Sequence, residues 1–415
     1  MIQCNEKTKK LNHQKLSFLI TTFAYWFFML SDGALRMIIL LHFHSIGFNP
    51  LQLAYLFLLY ELFGMITNLT AGWLAKKTGL NITLYFGLAL QITSILLLTL
   101  IDESWDITLS VIFVMSIQGI SGIAKDLTKI SAKSSIKLVI PNTNKKLFKW
   151  VALITGSKNS IKGLGFLIGT FLLSFYNFNF SLYIMAIVLF FILIITLIFM
   201  PAEILKITRN TKFIEVFSVN QNINFLSLGR VFLFGARDIW LVIGLPVFLY
   251  SLLSDGTQEG NYKTFFIIGT FMSSWTILYG LVQSFTPKIL SETKPIKNQV
   301  KFWANILIII PLILIVLNII FQELELTITI VLLFIFGFVF AVNSSIHSFL
   351  ILSFTKKNRV TLDVGFYYMS NAFGRLVGTF LSGLSYQMGG FYFCLFLTSI
   401  FLFFNRLSLN KITIK

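Results

Sequence analysis

Ser31-Asp32-Gly33-Ala34-Leu35-Arg36 interrupts an apolar run that extends from Leu16 to Leu41 and is otherwise dominated by Phe, Leu, Ile, Trp and Tyr. At a spacing of four residues, Asp32 and Arg36 fall on one face of a helix. The run is long enough to cross a bilayer. In hydrocarbon each charge costs about 3 kcal/mol on insertion scales, so both side chains are expected to face a protein interior or a watery cavity. Two roles fit them: an internal ion pair that fixes helix packing, or a binding group for an anion that crosses the membrane.

The rest of the chain shares the character of this run. Of 415 residues, 56% are hydrophobic and 12% charged, with 46 phenylalanines and a mean hydropathy of +0.83. A soluble protein of this length needs a polar shell that such a composition does not supply. Apolar runs recur, and twelve spans are expected near 17–42, 51–75, 82–101, 107–124, 150–176, 181–200, 225–252, 264–286, 302–320, 327–354, 362–386 and 391–405. Lys7 to Lys15 precede the first run without a small-residue cleavage site, so that run is expected to remain as the first helix rather than a signal peptide.

The net charge of +17 raises nucleic acid as a partner, and its distribution argues against it. With both termini cytoplasmic, the inner segments carry 26 of the 33 basic residues, among them seven lysines from Lys125 to Lys149, while the outer loops carry only Lys263. That asymmetry is the positive-inside pattern, and it predicts a multi-pass inner-membrane protein embedded in the lipid bilayer. Lys125, Lys129, Lys133 and Lys137 form a stripe at intervals of four. They suit either a helix held on anionic lipid or a funnel that collects an acidic substrate.

Twelve helices with both ends inside predict an all-α membrane fold of two pseudo-symmetric six-helix halves, as in major facilitator transporters. The expected division is an N-terminal bundle over 1–200, a polar cytoplasmic linker over 201–224 and a C-terminal bundle over 225–415. Two echoes support duplication. Gly33-Ala34-Leu35-Arg36 resembles Gly235-Ala236-Arg237-Asp238, 202 positions later, and Gly169-Thr170-Phe171-Leu172 recurs as Gly378-Thr379-Phe380-Leu381, 209 later. Gly72-Trp73-Leu74-Ala75-Lys76-Lys77-Thr78-Gly79 resembles the gating motif of major facilitator proteins, with Lys76 where that motif has Asp. Met115 stands where proton-coupled members carry Arg, so the common proton-antiport arrangement is not indicated.

Six basic residues fall inside the expected spans: Arg36, Lys158, Lys162, Arg230, Arg237 and Arg375. The intramembrane acids are fewer: Asp32, Glu61, Asp238 and, near a helix start, Asp363. A surplus of buried cations is costly unless an anion visits. Arg36 and Arg237, on helices one and seven, are candidates for a two-fork clamp on phosphate or carboxylate. Lys158, Lys162 and Arg375 on helices five and eleven complete the candidate substrate-binding set. Asp32, Glu61, Asp238 and His42 are candidates for proton coupling or gating, against a plain packing role. Arg230 is expected to snorkel to the inner interface.

Cys4 and Cys394 are the two cysteines, and His13, His42, His44 and His347 the four histidines. They indicate neither a disulfide framework nor a metal site, and no cofactor is expected. A polytopic membrane enzyme would need a paired His/Asp or an acidic metal motif, which the sequence lacks. A transporter is expected, not an enzyme. A general drug exporter would not need five inward cations.

Several long blocks carry a more specific likeness. They are Asp32-Gly33-Ala34-Leu35-Arg36-Met37 with Leu41-His42-Phe43-His44, Ser121-Gly122-Ile123-Ala124-Lys125-Asp126-Leu127, Ser131-Ala132-Lys133-Ser134-Ser135-Ile136-Lys137, Trp150-Val151-Ala152-Leu153 with Thr155-Gly156-Ser157-Lys158-Asn159, and Phe232-Leu233-Phe234-Gly235-Ala236-Arg237-Asp238. Over residues 20 to 250 the chain resembles the ArsJ family of organoarsenical efflux permeases within the major facilitator superfamily. That resemblance implies export of 1-arseno-3-phosphoglycerate and arsenate resistance. It also implies a functional link to the glyceraldehyde-3-phosphate dehydrogenase that makes the ester from arsenate. The alternative is another organophosphate transporter exchanging for phosphate. A monomer working by alternating access is expected.

Overall fold

The structure is a computed structural model that describes residues 2–102, 104–139, 144–201, 220–290, 296–355 and 360–413. The side chains of 2–14, 71–78, 133, 134, 136–139, 144–155, 258, 287, 288, 297, 352 and 360–362 lie outside that description. The expected gating motif at Gly72–Thr78, most of the 201–224 linker, and Lys133 and Lys137 of the basic stripe therefore fall largely outside it.

The described residues form helices throughout, without strands. Six come first: α1 (Ile2–Ser45), α2 (Pro50–Thr78), α3 (Leu80–Leu98), α4 (Ile107–Val139), α5 (Asn144–Phe175) and α6 (Phe178–Phe199). Then follow α7 (Gln221–Leu253), α8 (Gln258–Ile289), α9 (Ile296–Ile320) and α10 (Glu325–Phe354). The final helical stretch, Val360–Asn410, breaks at Gly389 and Gly390, where φ of 65° at Gly390 turns the chain. It supplies α11 (360–388) and α12 (391–410). Among the described residues, ten segments are long and apolar enough to cross a membrane. Counting the two arms of the last one separately and adding α5, whose lysines lower its hydropathy, gives the twelve expected from the sequence.

Local chemistry starts these helices where the chain must turn. Asn177 accepts from the Phe180 N–H at 2.8 Å and Thr257 from the Gly260 N–H at 3.0 Å, satisfying donors that a first turn leaves open. Asp106 does the same for Leu109 at 2.8 Å. Between α2 and α3, Gly79 takes φ of 91°, a left-handed conformation that favours glycine. Successive helices alternate in direction, so one end of the bundle gathers the short links at 46–49, 99–106 and 254–257. The other carries both chain termini, with Asn222 at the start of α7 bonded to Thr413 at 3.0 Å.

The outside of the bundle is apolar. Phe191 is 58% exposed and Ile198 68% on α6, where water would be a poor neighbour and lipid a good one.

Glycines bring particular helices into close approach. A Cβ on Gly165 of α5 would lie 2.2 Å from the Leu30 carbonyl oxygen of α1, and one on Gly169 would lie 2.4 Å from that of Ala34. The same contact recurs between α11 and α7: a Cβ on Gly374 would meet the Val231 oxygen at 2.3 Å and one on Gly378 the Gly235 oxygen at 2.6 Å. Val231 stands 201 positions after Leu30, Gly235 201 after Ala34, and both α11 glycines 209 after their α5 counterparts. The repeat is therefore real in three dimensions but one residue out of the register suggested by the Gly33/Gly235 echo. In the packed register Arg36 corresponds to Arg237.

The first six helices meet the last six along two seams. One joins α5 to α8, from Gly156 against Gly280 to Ser174, which donates to the Tyr262 carbonyl at 3.3 Å. The other joins α2 to α11, where Gly383 packs on the Pro50 carbonyl and Ala54 and Tyr55 stacks near Phe380. At the end opposite the termini, His44 of α1 meets Tyr250 of α7 edge-on, with ring centroids 4.6 Å apart.

Candidate functional site

The close α1–α5 packing sets Asp32 beside Lys162, and the two form an ion pair. Asp32 also accepts the Tyr60 hydroxyl from α2. Its partner is thus not Arg36, the neighbour that helical spacing suggested. Arg36 turns instead toward α2, where it donates to Glu61 Oε1 at 3.0 Å and lies over the Phe57 and Tyr60 rings at 5.0 and 5.2 Å.

Glu61 is 1% exposed and serves two guanidiniums, because Arg375 of α11 donates to the same Oε1. Arg375 then reaches Asp238 Oδ2 through Nε at 3.2 Å. Arg237 holds the other oxygen of Asp238, at 2.6 Å through Nε and 2.5 Å through Nη2. The result is a continuous chain, Arg36–Glu61–Arg375–Asp238–Arg237, that crosses from α2 to α11. Arg36 and Arg237 do not face each other as bare forks. Two carboxylates and a third guanidinium stand between them.

Several expectations need revision in this light. Arg230 does not snorkel. It is 5% exposed, donates to Asn371 Oδ1 at 3.0 Å and to the Ser344 carbonyl and hydroxyl at 3.1 Å, and lies 3.9 Å from the Phe234 ring. Lys125 and Lys129 do not sit on an exposed face of α4, as a helix lying on lipid would place them, but turn in toward α2. Lys125 is 7% exposed with its ammonium 3.9 Å from the Tyr60 ring. Lys129 pairs with Asp126 and with Asn68 of α2. Asp126, 0% exposed, is an interior acid that the expected span limit at 124 left out.

Lys158 is half-buried one turn from Lys162 on α5. His42 stands apart from the network, about 9 Å along α1 from Arg36 by helical rise, stacked on Phe178 at 4.2 Å. Residues that sequence reasoning passed over include Tyr60, which touches both cations and acid, and Asn159, which donates to Gln283 at 2.9 Å across the α5–α8 seam. The Lys125-Asp126-x-x-Lys129 spacing was the available signal for the α4 group. Among the described residues no three His, Cys, Asp or Glu side chains gather as a metal site.

After Arg237 and Asp238, α7 widens into a π turn over Trp240–Gly244. Pro246 leaves the Val242 carbonyl without its usual donor, and the Ile243 and Gly244 N–H groups both donate to the Ser382 hydroxyl of α11 at 3.1 Å. Single widened turns of this kind inside α-helices are frequent at functional sites.

Chemically, four cations from four helices (Arg36, Lys162, Arg237 and Arg375) meet three buried carboxylates: Asp32, Glu61 and Asp238. The excess positive charge and the planar forks suit an anion with several acceptor oxygens.

The chain is similar to the nucleoside transporter NupG, seen in the crystal structure of a mutant, with a TM-score of 0.73 and 15% identity over 96% of this chain and 100% of that one. It is also similar to a bacterial homologue of the iron transporter ferroportin in an outward-facing state, at 0.64 and 12% over 95% and 98%. These likenesses bear on the fold alone. No curated protein sequence matches the chain. The sequence pattern of the Major Facilitator Superfamily matches residues 17–379. The chain is a multi-pass membrane transporter, not an enzyme, and it belongs to the Major Facilitator Superfamily.

Proposed function

We propose that this transporter exports an arsenylated organophosphate, 1-arseno-3-phosphoglycerate, from the cytoplasm by alternating access and so confers arsenate resistance. One observation carries the reading. Arg36 and Arg375, from the first and second six helices, share a single oxygen of Glu61, and Arg375 and Arg237 share Asp238. Internal carboxylates occupy positions that a phosphate or arsenate oxygen would compete for. Arg36, Arg237, Lys162, Arg375 and the nearby Lys158 are the proposed substrate contacts. Asp32, Glu61 and Asp238 are their partners in the empty state. The resemblance of the Asp32–Met37, Ser121–Leu127 and Phe232–Asp238 blocks to organoarsenical permeases selects the ester among possible anions.

On this reading both termini are cytoplasmic, the membrane is the inner membrane, the protein acts as a monomer, and its substrate comes from glyceraldehyde-3-phosphate dehydrogenase acting on arsenate. Everted vesicles test it directly. Supplied with arsenate, NAD, glyceraldehyde-3-phosphate and the dehydrogenase, they are expected to accumulate arsenic, and to accumulate only background arsenic when the dehydrogenase is omitted. Equal arsenic uptake without the dehydrogenase overturns the proposal. The same cations also suit a phosphate-exchanging organophosphate carrier. That second reading takes over if phosphate-loaded vesicles move an arsenic-free organophosphate while the complete arsenic mixture gives no uptake.

A further inference from the structure

Arg230 takes no part in the ion-pair chain, yet it is as deeply interior as the cations that do. It is 5% exposed, and its hydrogen bonds go to neutral acceptors: Nε to Asn371 of α11, and Nη1 to the carbonyl and hydroxyl of Ser344 of α10. Among the described residues it pairs with no carboxylate. His347 and Tyr367 lie within reach of its charge, and neither is an acid that balances it. The rings of Phe234 and Tyr367, 3.9 and 4.9 Å from its guanidinium carbon, offset part of the cost of that charge. One arm is left over. Nη2 makes no hydrogen bond, and it is not sealed from open space as the unpartnered polar atoms of His347 and Asn405 are.

The place of Arg230 gives that arm a use. It stands two turns before Arg237 on the same face of α7, nearer the end that carries the termini. Both guanidiniums lie over Phe234, at 3.9 and 4.7 Å, so their central carbons are at most about 9 Å apart. Arg230 also sits close to a seam between the first and last six helices. Its partner Ser344 accepts from Gln283 of α8 at 3.2 Å, and Gln283 accepts from Asn159 of α5 at 2.9 Å. An interior cation without a carboxylate, beside that seam, is costly unless an anion visits.

We propose that Arg230 is a further substrate contact, which an anion arriving from the end that carries the termini meets through Nη2 before it reaches Arg237. This rests on the reading of the chain as an organic-anion exporter with cytoplasmic termini. Arg36, Arg237 and Arg375 each hold a carboxylate that an anion must displace. Nη2 of Arg230 offers charged donors with nothing to displace. Its loss slows entry and leaves the pairs at Glu61 and Asp238 intact.

The test uses everted vesicles carrying the full-length protein, supplied with arsenate, NAD, glyceraldehyde-3-phosphate and the dehydrogenase. It reads the initial rate of arsenic uptake per transporter that runs as a single species after detergent extraction. Arg230→Gln is expected to cut that rate about tenfold, the worth of one charge-assisted contact. Arg230→Met keeps the contact with Phe234 without the charge. It is expected to be equally slow, and it guards against a mere folding defect, since an apolar side chain replaces a buried charge at little cost. Arg230→Lys keeps the charge and is expected to retain at least about a third of the rate. Ser344→Ala/Asn371→Ala removes the tethers but not the cation, and is expected to keep at least about half. Wild-type rates in the Gln and Met variants overturn the contact and leave the exporter reading standing. A tether variant as slow as Arg230→Gln, or a Lys variant as slow as Arg230→Met, makes Arg230 a packing residue and overturns the contact too. If the wild type gives only background uptake, the exporter reading fails and takes the contact with it.

Discussion

Asp32 shows how a buried charge chooses its partner. Within α1 the spacing to Arg36 permits a pair, but the closeness of α1 and α5 puts the Lys162 ammonium on Asp32 and leaves Arg36 for Glu61. Charges in a low-dielectric interior are far more expensive alone than paired, so removing one member of such a pair costs about 3–5 kcal/mol. Lys162→Met is expected to destabilise the folded protein by that order, and Lys162→Met/Asp32→Asn to recover most of the loss. Thermal unfolding in detergent measures both, and a double variant as unstable as the single one contradicts the pairing. The forks make a separate prediction. Arg36→Lys and Arg237→Lys keep charge but lose bidentate geometry, so each is expected to cut transport by about tenfold or more while the protein still folds. Unaltered transport in both variants sinks their assignment as substrate contacts. That interior cations outnumber acids was legible in the sequence. Which acid each cation holds was not, because partner choice depends on how neighbouring helices rotate against each other.

At the level of the helix, glycine decides which elements approach. Gly165 and Gly169 press α5 onto the backbone of α1, and Gly374 and Gly378 press α11 onto α7. Gly165→Ala places a methyl about 2.2 Å from the Leu30 carbonyl oxygen, where neither backbone yields cheaply. It is expected to lower the melting temperature and to impair transport by shifting Lys162 from Asp32. Gly365→Ala on α11 meets nothing within 4 Å and is expected to be neutral or to gain up to about 1 kcal/mol of helix propensity. Similar melting temperatures for the two variants contradict this account. Hydropathy made the helices themselves legible, including α5 despite its lysines. It did not reveal that α4 carries buried charge beyond Ala124. A window that stops at the first lysine treats Lys125, Asp126 and Lys129 as surface charge, although Asn68 and Tyr60 of α2 cover them. The π turn of α7 escaped too, since Gly244 and Pro246 sit in an otherwise continuous apolar run and the compensating Ser382 hydroxyl comes from 138 positions away.

For the whole molecule, the division into two halves at residues 201–224 and their relative motion are the proposals that give the network its use. The halves meet at the end opposite the termini through His44 on Tyr250 and Gly383 on Pro50, and at mid-depth through Glu61 and Arg375. A carboxylate shared between guanidiniums of opposite halves holds them together only while no stronger acceptor competes. A substrate dianion on Arg36 and Arg375 would release Glu61 and change the balance between the two packings, which is how a ligand with different affinity for two states shifts a population. If rocking of this kind moves substrate, tying the His44 and Tyr250 end shut must stop it. In a Cys4→Ser/Cys394→Ser background, His44→Cys/Tyr250→Cys linked by a short bis-thiosulfonate reagent is expected to lose about nine-tenths of its transport and to regain it on reduction. Each single cysteine variant treated with the same reagent is expected to keep its activity. Full transport with the ends linked would mean that substrate passes without separation of α1 and α7, and a gate confined to the other end would replace the rocking of halves.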